Sequence, residues 1–180
     1  MLRGALAAIL LLISSDLMIH TAGLDIKQFV RRRERIWTYK TTRRDNVQCE
    51  VDKLLYSTTL SITFKKCVFL RNRRCELQTT GVFDTDHTER MTTLHRGIFT
   101  RTETLLFLSR DRSCAVVKVY SLTNWNQSYY DMRVTNTFVR SASLPACRTF
   151  FNRIIRPQTS HLVFFPRCLR LMRQRNEDEE

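Results

Sequence analysis

From Ile36 onward the chain alternates between apolar and polar positions in short runs, the period expected of half-buried β-strands. IWTYKTT (36–42) sets Trp37 and Tyr39 on one face. VQCEVDKLLY (47–56), LSITFKKCVF (60–69) and CELQTTGVFD (75–84) follow at regular spacing. RMTTLHR (90–96), TETLLFLS (102–109), CAVVKVYSL (114–122) and SYYDMRVT (128–135) complete a set of eight. The runs are rich in Thr, Val, Phe and Tyr and are separated by turns bearing Asn, Asp, Arg or Gly. Eight short, evenly spaced antiparallel strands predict a closed meander or a sandwich, and closure removes exposed sheet edges.

Two segments change period. DIKQFVRRR (25–33) opens with an acid and predicts a short helix. LPACRTFFNRII (144–155) repeats Leu144, Cys147, Phe151, Ile154 and Ile155 at three- and four-residue spacing. It predicts an amphipathic helix, with Ser143 as N-cap and Pro145 in the first turn. HLVFFPRC (161–168) reads as extended, and residues 171–180 read as a charged, disordered tail.

The run YYDMRV (129–134) poses the functional question. Tyr129, Asp131 and Arg133 share one face; Tyr130, Met132 and Val134 share the other. The polar face can look to water. If the amphipathic helix lies outside a barrel, it covers the apolar face instead. The acid, base and phenol then point into the lumen, and an eight-stranded barrel is wide enough for one small ligand.

Composition adds compartment and charge. Arg3 followed by ALAAILLLI, too short to span a bilayer, reads as a secretory signal ending near Gly23. The domain is then 24–170, and the expected location is extracellular. The net charge is +13, with four acids confined to residues 177–180. Such a surface attracts anionic glycans, acidic proteins or anionic membrane. Nothing resembles a nucleic-acid recognition element, and no nucleic-acid partner, membrane span or oligomer is expected.

Six cysteines, Cys49, Cys67, Cys75, Cys114, Cys147 and Cys168, predict three disulfides in an oxidising compartment. A hairpin about Arg71 would set Cys67 opposite Cys75. No close-spaced ligand pair suggests a metal, and no cofactor motif is present. No nucleophile elbow or phosphate loop supports an enzyme. The one sequon, Asn126-Gln127-Ser128, is a candidate glycosylation site.

From residue 25 to 168 the chain resembles the secreted salivary lipocalins of ticks, the histamine-binding family. The stretches that carry the resemblance are DIKQF, IWTYKTT, CEVD, GVFDTDHTERMT, TETLLFLS, CAVVKV, YYDMRV and the closing cysteines. The resemblance implies an all-β, eight-stranded antiparallel lipocalin barrel with a short N-terminal helix and a C-terminal helix packed outside. It implies the pairs Cys49–Cys168 and Cys114–Cys147, leaving Cys67–Cys75 as an extra staple. It also implies sequestration of a small host mediator: histamine, another biogenic amine, or an eicosanoid.

The family's amine pattern is only partly present. Ala115 stands where the first acid belongs, Asp131 is a shortened second acid, and Arg133 replaces an aromatic. A buried ammonium needs a carboxylate, and Arg133 competes for Asp131. Arg133 with Tyr129 suits instead the carboxylate of a fatty acid or leukotriene, its tail on Trp37, Leu106 and Leu108. Trp37 and Tyr39 are either ligand platform or core. Glu50 and Asp52 either add negative charge near an amine or face solvent. The candidate ligand-binding set is therefore Trp37, Tyr39, Leu106, Leu108, Tyr129, Asp131 and Arg133. The alternative is a protein that binds a host protein or glycan through Arg31–Arg33 or Arg71–Arg74.

Overall fold

The computed structural model describes residues 23–70, 73–124, 127–140 and 144–172; for 70 and 73–76 it describes only the backbone. The predicted signal up to residue 22, the sequon Asn126, the proposed N-cap Ser143 and residues 173–180 lie outside the described residues.

A short helix α1 (Lys27–Val30) precedes eight antiparallel strands: β1 (Ile36–Thr41), β2 (Gln48–Ser57), β3 (Ser61–Leu70), β4 (Arg73–Phe83), β5 (Arg90–His95), β6 (Ile98–Leu108), β7 (Cys114–Ser121) and β8 (Ser128–Thr135). Each strand pairs with its sequence neighbour, and β1 bridges β8 and β2 to close the barrel. Then come α2 (Pro145–Ile154), a two-residue strand β9 (His161–Leu162) and α3 (Arg167–Leu171).

Most strand limits lie within one or two residues of those read from alternation. The largest difference is β6, which starts at Ile98 rather than Thr102. Arg96 and Gly97 both have positive φ (50° and 79°), and His95 pairs with Ile98 across them. Positive φ at both central residues makes the two-residue hairpin turn whose twist matches the flanking strands, so β5 and β6 pair up to it. Helix α1 is shorter than predicted. The Asp25 carboxylate accepts from the Lys27 N–H (2.9 Å) at its start. At its end Arg31 and Arg32 turn to the barrel rim, where Arg31 reaches the Thr58 carbonyl and Arg32 donates to the Arg112 carbonyl (2.8 Å).

Apolar burial forms two clusters. The inner one fills one end of the barrel: Ile36, Ile62, Phe64, Phe83, Met91, Leu105, Ala115 and Val117, plugged by Ile26 and Phe29. The plug is held by the Ile26 N–H to the Thr88 carbonyl (3.0 Å) and by Arg31 on the Thr58 carbonyl. This is the closed end, where the β2–β3, β4–β5 and β6–β7 turns lie. The other four turns define the open end.

The outer cluster lies beneath the C-terminal segments. Cys147 and Phe151 of α2 pack with Cys114, Val116, Met132 and Val134, and Phe150 stacks on Phe107 (4.8 Å). A disulfide joins Cys114 to Cys147. Beyond α2 the chain runs along β1, where Lys40 pairs with Leu162 and Thr41 with His161. The Cys49 N–H donates to the Val163 carbonyl (2.8 Å), and Cys168 of α3 is disulfide-bonded to Cys49. This segment bridges the seam where β1 and β2 pair only at Ile36–Asp52 and Trp37–Val51. Helix α3 ends at Leu171, and Met172 after it is buried.

The β3–β4 register sets Cys67 opposite Glu76 and Val68 opposite Cys75, one residue from the arrangement expected of the hairpin. The Cys75 side chain lies outside the described residues.

Candidate functional site

Strand β8 answers the question its sequence poses. Met132 and Val134 are buried in the outer cluster, with Tyr130 packed against it. Tyr129, Asp131 and Arg133 therefore point into the lumen, where Asp131 is fully buried and Arg133 nearly so (0% and 3% exposed). Both faces of the strand are covered because α2 roofs one and the barrel closes around the other.

Inside, these three meet charges from three other parts of the wall. Arg133 Nη1 donates to Glu103 Oε2 (2.6 Å) and Nη2 to Asp131 Oδ2 (3.2 Å). Across the lumen Lys66 Nζ reaches Glu50 Oε1 (2.9 Å) and Asp52 Oδ1 (2.8 Å). Arg43, just after β1, donates from Nη2 to Glu50 Oε2 (2.6 Å). Arg101 Nε lies 3.5 Å from Glu103 Oε1. Four cations thus face four carboxylates, and pairing is what makes their burial tolerable. The Tyr129 hydroxyl sits between Arg43 Nη1 (3.5 Å) and Arg101 Nη1 (3.4 Å). The Arg43 guanidinium also lies over the Tyr129 ring, 5.3 Å from its centre.

The ionisation follows from the pairing. For Glu103, burial opposes the charge, but Arg133 and Arg101 outweigh it and hold the carboxyl down to about 2. Burial likewise opposes Glu50, which Lys66 and Arg43 hold well below its ordinary value. Arg133 is kept charged against burial by Glu103 and Asp131. Asp131 is the exception. Burial, helped by the like charge of Glu50, raises it above its ordinary value against the opposing pull of Arg133 and Arg43. The Thr41 hydroxyl, opposite on β1, adds to that lowering pull without reversing it, and Asp131 Oδ1 itself is buried outside hydrogen-bonding geometry. Arg133 Nε is buried without an acceptor as well.

The remaining candidate residues fall elsewhere. Trp37 and Tyr39 are not in the lumen. Ile36, opposite Asp52, takes the inward position, so Trp37 and Tyr39 turn outward under the C-terminal segment. Trp37 meets Phe164 edge-on (5.1 Å) and donates to Asn136 Oδ1 (2.9 Å), while Tyr39 stacks on Phe164 (6.3 Å). Leu106 loses its inward place to Leu105, because the β6–β7 register shifts between Leu105 and Phe107. That bulge puts Phe107 under α2 and returns Leu108 to the edge of the inner cluster.

Sequence reasoning left Glu50 and Asp52 undecided and missed Lys66, Arg43, Arg101 and Glu103. The available signal was phase: Lys66 follows Phe64 and Glu103 precedes Leu105 at two-residue spacing, on the faces that turn inward. Among the described residues no group of three or more His, Cys, Asp or Glu could hold a metal ion.

Known structures place this barrel. A protein called AM182, solved as a serotonin complex, superposes with a TM-score of 0.65 at 18% identity, over 82% of this chain and 95% of that one. The cockroach allergen Per a 4 follows at 0.57 and 14%, over 82% and 92%. Apocrustacyanin C2 reaches 0.51 at 12%, over 77% and 79%. The fold is that of a lipocalin. At these identities the likeness speaks for the lipocalin fold alone. No protein-family model and no curated protein matches the chain in sequence.

Proposed function

We propose that this lipocalin is a secreted salivary protein of the tick histamine-binding type. In this reading it sequesters a small host mediator carrying an ammonium group, histamine or another biogenic amine, and acts by binding without chemistry. The observation that carries the reading is the unpartnered Oδ1 of fully buried Asp131. An orphaned buried acceptor with a raised carboxyl is a place where an incoming N⁺–H both makes the missing bond and favours the ionised acid. Arg101 closes the approach through contacts to Thr93, Tyr129 and Glu103 that are all 3.4 Å or longer, and so is the first to give way. Arg43 stays in place over the Tyr129 ring, held to Glu50 at 2.6 Å. Residues 1–23 as a signal and a glycan at Asn126 belong to the same reading. The disulfides Cys49–Cys168 and Cys114–Cys147 accord with an extracellular protein.

The second reading, a scavenger of leukotriene or fatty acid, draws on Arg101, whose contacts are all 3.4 Å or longer. Against it, both terminal nitrogens of Arg133 are engaged. The cavity between the apolar Phe29, Ile36, Ile62, Phe64 and Met91 and the charged Asp52 and Arg133 has about 20 Å³, room for a water, so any ligand must displace side chains, and a lipid tail more of them than a small amine.

The test is titration calorimetry of the disulfide-intact chain without residues 1–23, against histamine, serotonin, leukotriene B4 and arachidonate. The expected result is amine binding that falls about 10- to 100-fold in Asp131→Asn, the worth of one charge-assisted hydrogen bond. Binding of the lipids alone, weakened by Arg133→Ala, overturns the amine reading in favour of the second. Heat from none of the four moves function to the basic exterior and a host protein or anionic glycan.

A further inference from the structure

The open end of the barrel carries an exposed apolar rim that the lumen does not use. In the β5–β6 hairpin Ile98 is 64% and Phe99 55% exposed. Neighbours on a strand face opposite ways, so one of the two would be expected to lie against the barrel. Both are exposed because the Arg96–Gly97 turn carries the hairpin tip past the wall. Leu122 and Tyr120 of the adjacent β7 edge are also exposed, and the Leu122 N–H is bonded to the Thr100 carbonyl (2.9 Å). On the other flank Leu77 is exposed on β4, beside Gln78, whose carbonyl is 2.8 Å from His95 Nδ1.

The surroundings of this rim are basic. Arg44, Arg96 and Lys118 are exposed around it, and β4 begins at the same end with Arg73 and Arg74. The acid in the β1–β2 turn, Asp45, is held by Arg43. The closed end carries both signs: Asp84, Asp86 and Glu89 of the β4–β5 turn lie at the same end as the exposed Arg33, Arg110 and Arg112.

We infer that the open end docks on an anionic lipid surface, with Ile98 and Phe99 entering the headgroup boundary and the arginines on the lipid charges. Charge complementarity selects an anionic partner. The apolar tip selects a bilayer over a glycan, since sulfated sugar offers nothing in which to bury Ile98 and Phe99. Tyr120 has the amphipathic form that suits a membrane interface. Docked this way, the barrel mouth faces the surface of the cell on which it is held. The inference stands apart from the identity of the lumen ligand.

The experiment is co-sedimentation of the disulfide-intact chain without residues 1–23 with vesicles of phosphatidylcholine alone, or mixed 7:3 with phosphatidylserine (a composition chosen for the test, about one anionic lipid in three). Binding is expected only to the mixed vesicles and weakens with added salt. Ile98→Ser with Phe99→Ser should lower it about 100-fold, and Arg96→Glu about 10-fold or more. All three positions are exposed, so unchanged thermal midpoints verify that the variants fold. Equal partitioning of the double serine variant overturns the proposal. So does equal binding to phosphatidylcholine alone, absence of vesicle binding, or binding to heparin with none to vesicles.

Discussion

The two buried faces of β8 obey different rules. Outward, Met132 and Val134 meet Phe151, Cys147 and Trp37, and dispersion with area burial suffices. Inward, Asp131 and Arg133 are equally dry yet depend on partners from β6, and the network continues to Lys66 and Glu50 on the far wall. The outer face is covered by chain that arrives late and is stapled on. The inner face is covered by the barrel itself. Apolar surface tolerates approximate packing, whereas a buried charge needs a specific opposite, and one mismatch is felt across the network.

Severing the outer staple should have the largest effect. The Cys49–Cys168 bond spans 119 residues, and a loop of that size is worth about 4–5 kcal/mol through the unfolded state. Cys49→Ala with Cys168→Ala should lose that much in urea denaturation. Amide protection should go first from residues 161–172 and last from β6 and β7; simultaneous loss would mean the two faces are one cooperative unit.

Breaking the inner network comes next. Glu103→Gln strands Arg133 and Arg101 and should cost about 3–5 kcal/mol, with part regained on adding Arg133→Met. The same residue governs acid stability. Its folded value, about 2, lies below its ordinary 4.5, so its contribution is complete above pH 4.5. That contribution, roughly 3 kcal/mol, is lost as pH falls to 2. Asp131 works the other way. Its raised value favours the folded state when protonated, and that support is lost as pH rises through it. Stability measured between pH 5 and 2 should therefore fall less steeply in Glu103→Gln, and an unchanged slope would put acid lability elsewhere.

The smallest effect sharpens the boundary between the faces. Trp37→Phe removes one hydrogen bond to Asn136 and should cost about 1 kcal/mol. It should leave ligand affinity unaltered, since its ring lies under Phe164 and outside the lumen. A change in affinity beyond about twofold, roughly 0.4 kcal/mol, would contradict that placement.

The sequence alone was enough for the barrel. Eight alternating runs, the sticky face of Leu144–Ile155 and an N-terminal helix are local patterns, and local patterns survive without tertiary information. It was also enough for the phase of β8, once α2 was allowed to roof one face. Trp37 and Tyr39 stayed open between ligand platform and core because alternation determines which residues share a face and leaves open which face is inside. That choice rested on Phe164, more than a hundred residues away. Leu106 was displaced by a one-residue bulge, which reverses everything beyond it and has no marker in the run TETLLFLS. The charge network was the least legible. Lys66, Glu103 and Arg101 look like solvated positions on their own strands. Only closure of the sheet brings β2, β3, β6 and β8 around one lumen, where each charge finds the opposite one that makes its burial possible.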